Sequence, residues 1–432
     1  MKPEQRLALR GDLLDFCAAP AWAQTEDAAV RFRPDHWLLV EGGRIVGAQR
    51  EDPGPDWPRE DHRGRLVMPG FVDTHVHCPQ LDVIASYGTE LLDWLNTYTF
   101  PAERRYADPA VAGLGAQRFL DALLAHGTTA AVVFPTVHKV SAEALFDAAA
   151  ARGMRLITGK VLMDRHAPDG LRDDVEQARR DCEDLIARHH GRERLAYAVT
   201  VRFAPTSTPE QLAMAGALCR TDASLYMQTH VAENRGECAW VARLFPDARS
   251  YLDVYDRVGL LHPRAVLAHG IWLDDEDRRV LRERGAQIAH CPSSNLFLGS
   301  GLFDWKGTDE AGVGLSVASD VGGGTSLSLQ RTLADGYKVQ ALAGQRLTAW
   351  AGLHAATRGA ALALGLDREL GHLSPGTLAD LCVWDWACGP VAQARHEVAR
   401  ELHEKVFAWM TLADERNLAA CFVAGQARYR RP

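Results

Sequence analysis

The nine cysteines of this 432-residue chain are scattered and form no CxxC pair, so the sequence suggests neither a thiolate zinc site nor a disulfide framework. No Lys/Arg-rich run occurs. With 48 basic against 56 acidic residues the net charge is -8, which argues against nucleic acid or a membrane surface as partner and in favour of a small molecule. No apolar stretch reaches about 18 residues, and the opening MKPEQRLALRGDLLDF is charged throughout, without an apolar core and small-residue cleavage site. These absences predict a soluble, cytoplasmic protein. No glycine-rich dinucleotide fingerprint follows the first apolar run, which counts against an open doubly wound sheet.

What is present is an alternation of apolar runs with charged stretches of helical period. The runs are LVMPGFVDTH, GTTAAVVF, MRLITGKVLM, LAYAVTVRF, SLYMQTHV, AVLAHG, AQIAHC and GLSVAS. Eight strand and helix units in series, with strands apolar along nearly their whole length, predict an α/β fold: a parallel (β/α)8 TIM-type barrel over residues 67–373. The flanks RPDHWLLVEGGRIVGAQR, GTLADLCVWDW and NLAACFVAGQARY read instead as short strands punctuated by glycine turns. Left apart, each flank would be an exposed β edge. Residues 1–66 and 374–432 are therefore expected to join as one small β-sandwich domain.

The barrel reading gives meaning to the ends of its strands. His75 and His77 in FVDTHVH, His230 in QTHVAE, His269 in LAHG and Asp320 in VASD each close an apolar run, and the carboxyl ends of barrel strands converge on one face. His75 and His77 are two residues apart and so share a face of their strand. Alone, such a pair is as readily two hydrogen-bonded interior histidines. With a third histidine and a carboxylate it suits Zn²⁺, leaving one position for a water. Glu233 follows His230 by three residues, the wrong face of a continuing strand, so the chain must turn there for the carboxylate to exchange protons over the metal. The alternative is a solvated glutamate at the start of the next helix. Cys78 and Cys291 stand beside candidate histidines but read as small apolar lining of a packed barrel. His189 and His190 fall in a charged helix and are expected in solvent.

Together PGFVDTHVH, THVAEN, AHG, HCPSSNLFLGSG and SD resemble the amidohydrolase superfamily, in its metal-dependent purine and pyrimidine aminohydrolase branch. The late GHLSPGTLADLCVWD is similar to that superfamily's return into its small β-domain. The segments HCPQLDVIASYGTELLDWLNTYTFPAE, VRF with APTST, and SDVGGGTS extend the likeness from about residue 37 onward. The resemblance implies hydrolytic deamination of a purine base. It implies His75, His77, His230 and Asp320 as ligands of one zinc ion per chain, and Glu233 as a catalytic proton shuttle that also contacts substrate. Asp320 and His269 would orient the reacting water, with His269 also counted as a possible metal ligand. Gln80, Arg202 and Phe203 would bind the base, through an amide, a donor to a carbonyl oxygen and an apolar wall. Arg202 could equally form a salt bridge on the barrel rim.

Binuclear members bridge their metals with a carboxylated lysine on the fourth strand, whereas Lys160 falls on the third, so one metal is expected. His290 and Asn295 read as loop-fixing or supporting residues, and Trp94 and Tyr98 as pocket wall or core. A homodimer is expected. Two alternatives stay open: a sister aminohydrolase acting on another purine, a pyrimidine or a triazine, and a catalytically silent scaffold barrel, against which the full ligand set and Glu233 speak. The unrelated zinc deaminase fold requires a PCxxC motif that this chain lacks.

Overall fold

The computed structural model describes residues 5–87 and 91–432; Met1–Glu4 and Gly88–Glu90, the latter inside the segment from His77 to Glu103, lie outside the described residues. Four strands open the chain: Arg6–Phe16 (β1), Val30–Glu41 (β2), Arg44–Gln49 (β3) and Arg59–Pro69 (β4). Then come Phe71–His77 (β5), Thr128–Phe134 (β6), Arg155–Thr158 (β7), Val161–Leu162 (β8), Leu195–Val201 (β9) and Tyr226–Val231 (β10). Ala265–His269 (β11), Gln287–His290 (β12), Gly314–Val317 (β13), Leu381–Asp385 (β14), Leu418–Val423 (β15) and Gln426–Arg430 (β16) complete the set.

All eight apolar runs form barrel strands, the third broken into β7 and β8. Their hydrogen-bonded order is β5, β6, β7, β9, β10, β11, β12, β13, with β8 also on β9. The ring is nearly closed: past β13, the Asp320 amide donates to the His75 carbonyl and the His77 amide to the Val321 carbonyl, each at 2.9 Å. Strands β5, β6 and β9 are buried at every residue, which is why they read as unbroken apolar runs without the alternation of a half-exposed sheet. Gly159 stands at the break in the third strand, where an added Cβ would overlap the backbone carbonyl of Ala198 on β9.

Both flanks pair into one seven-stranded sheet, ordered β16, β15, β14, β4, β1, β2, β3. Its pairs are antiparallel except β1 with β4, and the β1 ladders shift register around Gly11. Leu9, Leu13, Leu38, Val67, Leu381 and Phe422 fill its core. By its contacts the chain divides into two compact units. One comprises residues 1–73, 121–130 and 327–432 and contains this sheet. Within it the helix Leu329–Leu342 packs on the helix Leu402–Leu412, with Tyr337 edge-on to Phe407 at 4.9 Å. The other comprises residues 74–120 and 131–326 and holds the carboxyl ends of the barrel strands. No helix among the described residues is long and apolar enough to cross a membrane.

One expectation is corrected. His189 and His190 are not solvated: His189 stacks on Phe146 at 4.5 Å, and His190 accepts from the Tyr197 amide at 3.0 Å while its other nitrogen meets Ser224 Oγ at 2.8 Å. Burial lowers the pKa of both, so each ring packs as a neutral imidazole with an aromatic or polar partner. The surrounding charges belong to the outer face of the same helix.

Gly159→Ala must displace the Ala198 carbonyl. It should destabilise the chain by about 1–3 kcal/mol, the usual cost of overpacking, read as a fall in thermal midpoint; an unchanged midpoint would show that the strand break tolerates a side chain.

Candidate active site

The carboxyl ends of β5, β10, β11 and β13 bring five donors together. His75 and His77 Nε2 lie 3.2 Å apart, and His77 Nε2 lies 3.2 Å from His230 Nε2. Asp320 Oδ1 stands 3.1 Å from His75 Nε2 and 3.3 Å from His77 Nε2. His269 Nε2 lies 3.7 Å from Asp320 Oδ2 and 3.4 Å from Glu233 Oε2. One ligand atom from each of His75, His230, His269 and Asp320 falls within 4.8 Å of the others. The backbone departs from β geometry at these positions: His269 and Asp320 take φ of 73° and 47°, in the left-handed region that non-glycine residues occupy at a cost of order 1 kcal/mol or more.

Hydrogen bonds from behind fix the imidazole tautomers. His230 Nδ1 donates to the Arg202 carbonyl at 2.6 Å, and His269 Nδ1 donates to Asn295 Oδ1 at 2.8 Å, so both Nε2 atoms carry lone pairs into the site. His269 Nε2 is buried without a hydrogen-bond partner. Burial, helped by the neighbouring ring of His75, lowers His77 to about 3, and burial lowers His230 well below the usual range. Burial alone would raise Asp320, but the adjoining histidines, His75 foremost, hold it well below the usual carboxylate range. Four imidazoles and a carboxylate thus converge on one point, with the Nε2 lone pairs of His230 and His269 fixed toward it, an arrangement that suits a divalent cation. The residues present fit a metal. Phe134, at the end of β6, packs against the rings of His75, His77 and His230 at 4.7–5.1 Å.

Glu233 reaches this cluster because the chain turns at Ala232, whose φ is 47°. It is only 3% exposed, which excludes the solvated alternative. Ser300 Oγ donates to its Oε1 at 2.9 Å, while burial and then the Asp320 charge push its carboxyl up to about 8. A cation on the adjoining donors acts in the opposite sense. Directly behind, Glu237 accepts from the amides of Glu233 and Asn234 at 3.0 and 3.2 Å and from Tyr251 Oη at 2.7 Å, closing a capping box at the start of the helix Arg235–Leu244.

A cavity opens beside the donors, lined by His77, His230, Glu233, His269 and Asp320 on one side and by Gln80, Trp94, Leu95, Arg202, Phe203 and Leu298 elsewhere. Arg202, just past β9, is 2% exposed and forms a buried ion pair, its Nη1 donating to Glu103 Oε1 and Oε2 at 2.8 and 2.7 Å. Its partner is therefore inside the wall and not on a solvent-exposed rim. Gln80 Nε2 donates to Glu103 Oε1 at 3.3 Å, and Gln80 Oε1 accepts from the Gly322 amide at 3.2 Å. Phe203 lies edge-on to Trp240 at 6.1 Å.

All of the candidate residues meet at or beside this cavity. Trp94 forms its wall and Tyr98 packs partly buried behind it. Asn295 supports His269, whereas His290 stacks on Phe303 at 4.5 Å and is not a donor to the cluster. Lys160 is paired with Asp173, and Cys78 and Cys291 are buried, as expected of packed lining. Sequence reasoning missed Glu103, Phe134, Glu237 and Ser300. None repeats a spacing, but two fell inside segments that carry the resemblance: Glu103, the acid closing FPAE, and Ser300 in HCPSSNLFLGSG.

A model of the amidohydrolase family matches residues 66–428, and the chain belongs to that family. It is 42% identical to guanine deaminase of Escherichia coli K12 over 429 residues, 98% of each chain, and 33% identical to guanine deaminase of Rattus norvegicus over 418 residues, 91% of each. The solved structure of E. coli guanine deaminase superposes with a TM-score of 0.95 at 41% identity, covering 99% of this chain and 100% of that one. Guanine deaminase from C. acetobutylicum, solved with guanine bound in the active site, gives 0.88 at 26% identity over 98% and 100%.

Elemental analysis should find divalent metal in the purified chain. His75→Ala and Asp320→Ala should each lose most of it while Lys160→Gln keeps it; retention by both ligand variants would leave the cluster structural, and loss in Lys160→Gln would implicate a bridging lysine.

Proposed function

We propose that this chain hydrolyses guanine to xanthine and ammonia. The observation that carries the reading is one cavity, lined by buried side chains, that a donor cluster and Glu233 share with Arg202 and Gln80; end-to-end likeness to proteins named guanine deaminase supports it. His75, His77, His230 and Asp320 would hold one zinc ion per chain, with His269 beside them. Bound there, zinc supplies Lewis-acid activation of water at neutral pH.

The protein's own groups do the rest. Asp320 and His269 orient the attacking water toward C2 of the base, and Glu233 takes one of its protons and delivers it to the adjacent ring nitrogen. As C2 becomes tetrahedral, the remaining hydroxyl proton passes through Glu233 to the amine, which departs as ammonia and leaves a carbonyl at C2. Arg202 donates to the carbonyl at C6, Gln80 pairs with a neighbouring edge, and Phe203 supplies an apolar wall. Adenine would bring an amine donor to the Arg202 donor and leave both unsatisfied. The reading extends to a cytoplasmic homodimer: none of the nine cysteines is in a disulfide, which suits a reducing compartment, and light scattering tests the dimer.

Ammonia release from guanine, adenine, cytosine and their nucleosides is the deciding assay. Guanine should be turned over far faster than the rest; preference for another base would transfer the site to a sister aminohydrolase. Glu233→Gln should keep its metal yet lose about two to four orders of magnitude in kcat, the usual worth of a positioned acid and base, and near-normal turnover would remove Glu233 from the mechanism.

A further inference from the structure

Glu103 stands behind the cavity wall, 1% exposed, and receives hydrogen bonds from two residues that line the cavity. Both of its oxygens accept from Arg202 Nη1, and Oε1 accepts from Gln80 Nε2 as well. The Gln80 amide is caught from its other end by the Gly322 N–H, which can only donate, so Oε1 must face Gly322 and Nε2 must face Glu103. An added Cβ at Gly322 would lie 2.6 Å from the Gln80 carbonyl oxygen, which accounts for glycine in this approach. Arg202 is fixed in turn from a second direction, its guanidinium 5.2 Å over the Phe100 ring.

We propose that Glu103 is the positioning residue for base specificity: its carboxylate sets the donor and acceptor pattern that Arg202 and Gln80 present to the base, and cancels the Arg202 charge so that the wall suits a neutral heterocycle. The inference rests on the reading of this cavity as a purine-base site. Only a group that accepts at both oxygens serves here. A glutamine at 103 with its carbonyl in the place of Oε1 serves both Arg202 and Gln80 but turns its NH2 against Arg202 Nη1, and in the reverse orientation its NH2 meets the NH2 of Gln80. Gln80 can turn over to accept from it only by presenting an NH2 to the Gly322 N–H. Every arrangement leaves two donors opposed in a buried wall, and the disturbance lands on the atoms that meet substrate.

The test compares wild type, Glu103→Gln, Glu103→Asp, Arg202→Ala and the Glu103→Gln/Arg202→Ala double variant, on guanine and on 2-aminopurine, which lacks the C6 carbonyl. Glu103→Gln should lower kcat/KM on guanine by about ten- to a hundred-fold, carried mainly in KM, with metal content unchanged, because the base is held less well in ground and transition states alike. The loss on 2-aminopurine should be several-fold smaller. In the double variant the guanine loss should be much less than the product of the two single losses, since Glu103 acts through Arg202. Glu103→Asp keeps the charge beside Arg202, so it folds even if the glutamine variant does not, and its shortened reach to Gln80 should raise KM on guanine. A wild type inert on guanine removes the functional reading and this inference with it. An active wild type overturns the inference alone if the folded Glu103 variants keep KM within twofold, lose kcat only, or lose equally on both substrates.

Discussion

Five metal-ligating side chains crowded onto one point are the constraint from which the rest of this site follows. Three imidazole nitrogens and a carboxylate oxygen meet at 3.1–3.3 Å. Parts of this cluster are braced from behind. The Arg202 carbonyl braces His230, Asn295 braces His269, and Phe134 closes against three of the rings. The barrel makes this possible because its parallel strands end on one face, so braces and donors come from neighbouring strands that are already rigid.

The same sharing runs through the substrate side. Arg202 contributes its backbone carbonyl to His230 and its side chain to the cavity wall, so metal donors and base-reading groups share one residue at the end of β9. A shift of that strand would move both ends of the cavity together. Asp320 and Gly322 link the sites in the same way past β13, one beside the histidines and the other holding Gln80.

Most of this is legible in the sequence because barrel strands announce themselves twice, as buried apolar runs and by the polar residue that ends them. His75, His77, His230, His269 and Asp320 each stand where such a run stops, and even the turn after His230 follows from parity along the strand, which Ala232 carries out with a left-handed φ. What stays hidden is support. Glu103 is 99 positions from Arg202 and Ser300 is 67 from Glu233, so no periodicity relates them. His189 and His190 mislead because a charged helix has an inner face too, and composition averages over both. Arg202 hangs between wall and rim in the sequence, since an arginine at a strand end looks the same in either place.

The capping box at Asn234 and Glu237 ties a helix end to the chemistry of the site. The amide of Glu233 is one of the donors that Glu237 satisfies, so the first turn of the helix Arg235–Leu244 and the placement of the acid are one structure. Helix ends open with less free energy than barrels melt. Any loosening of that one turn would displace the acid while leaving the strands that carry the histidines in place.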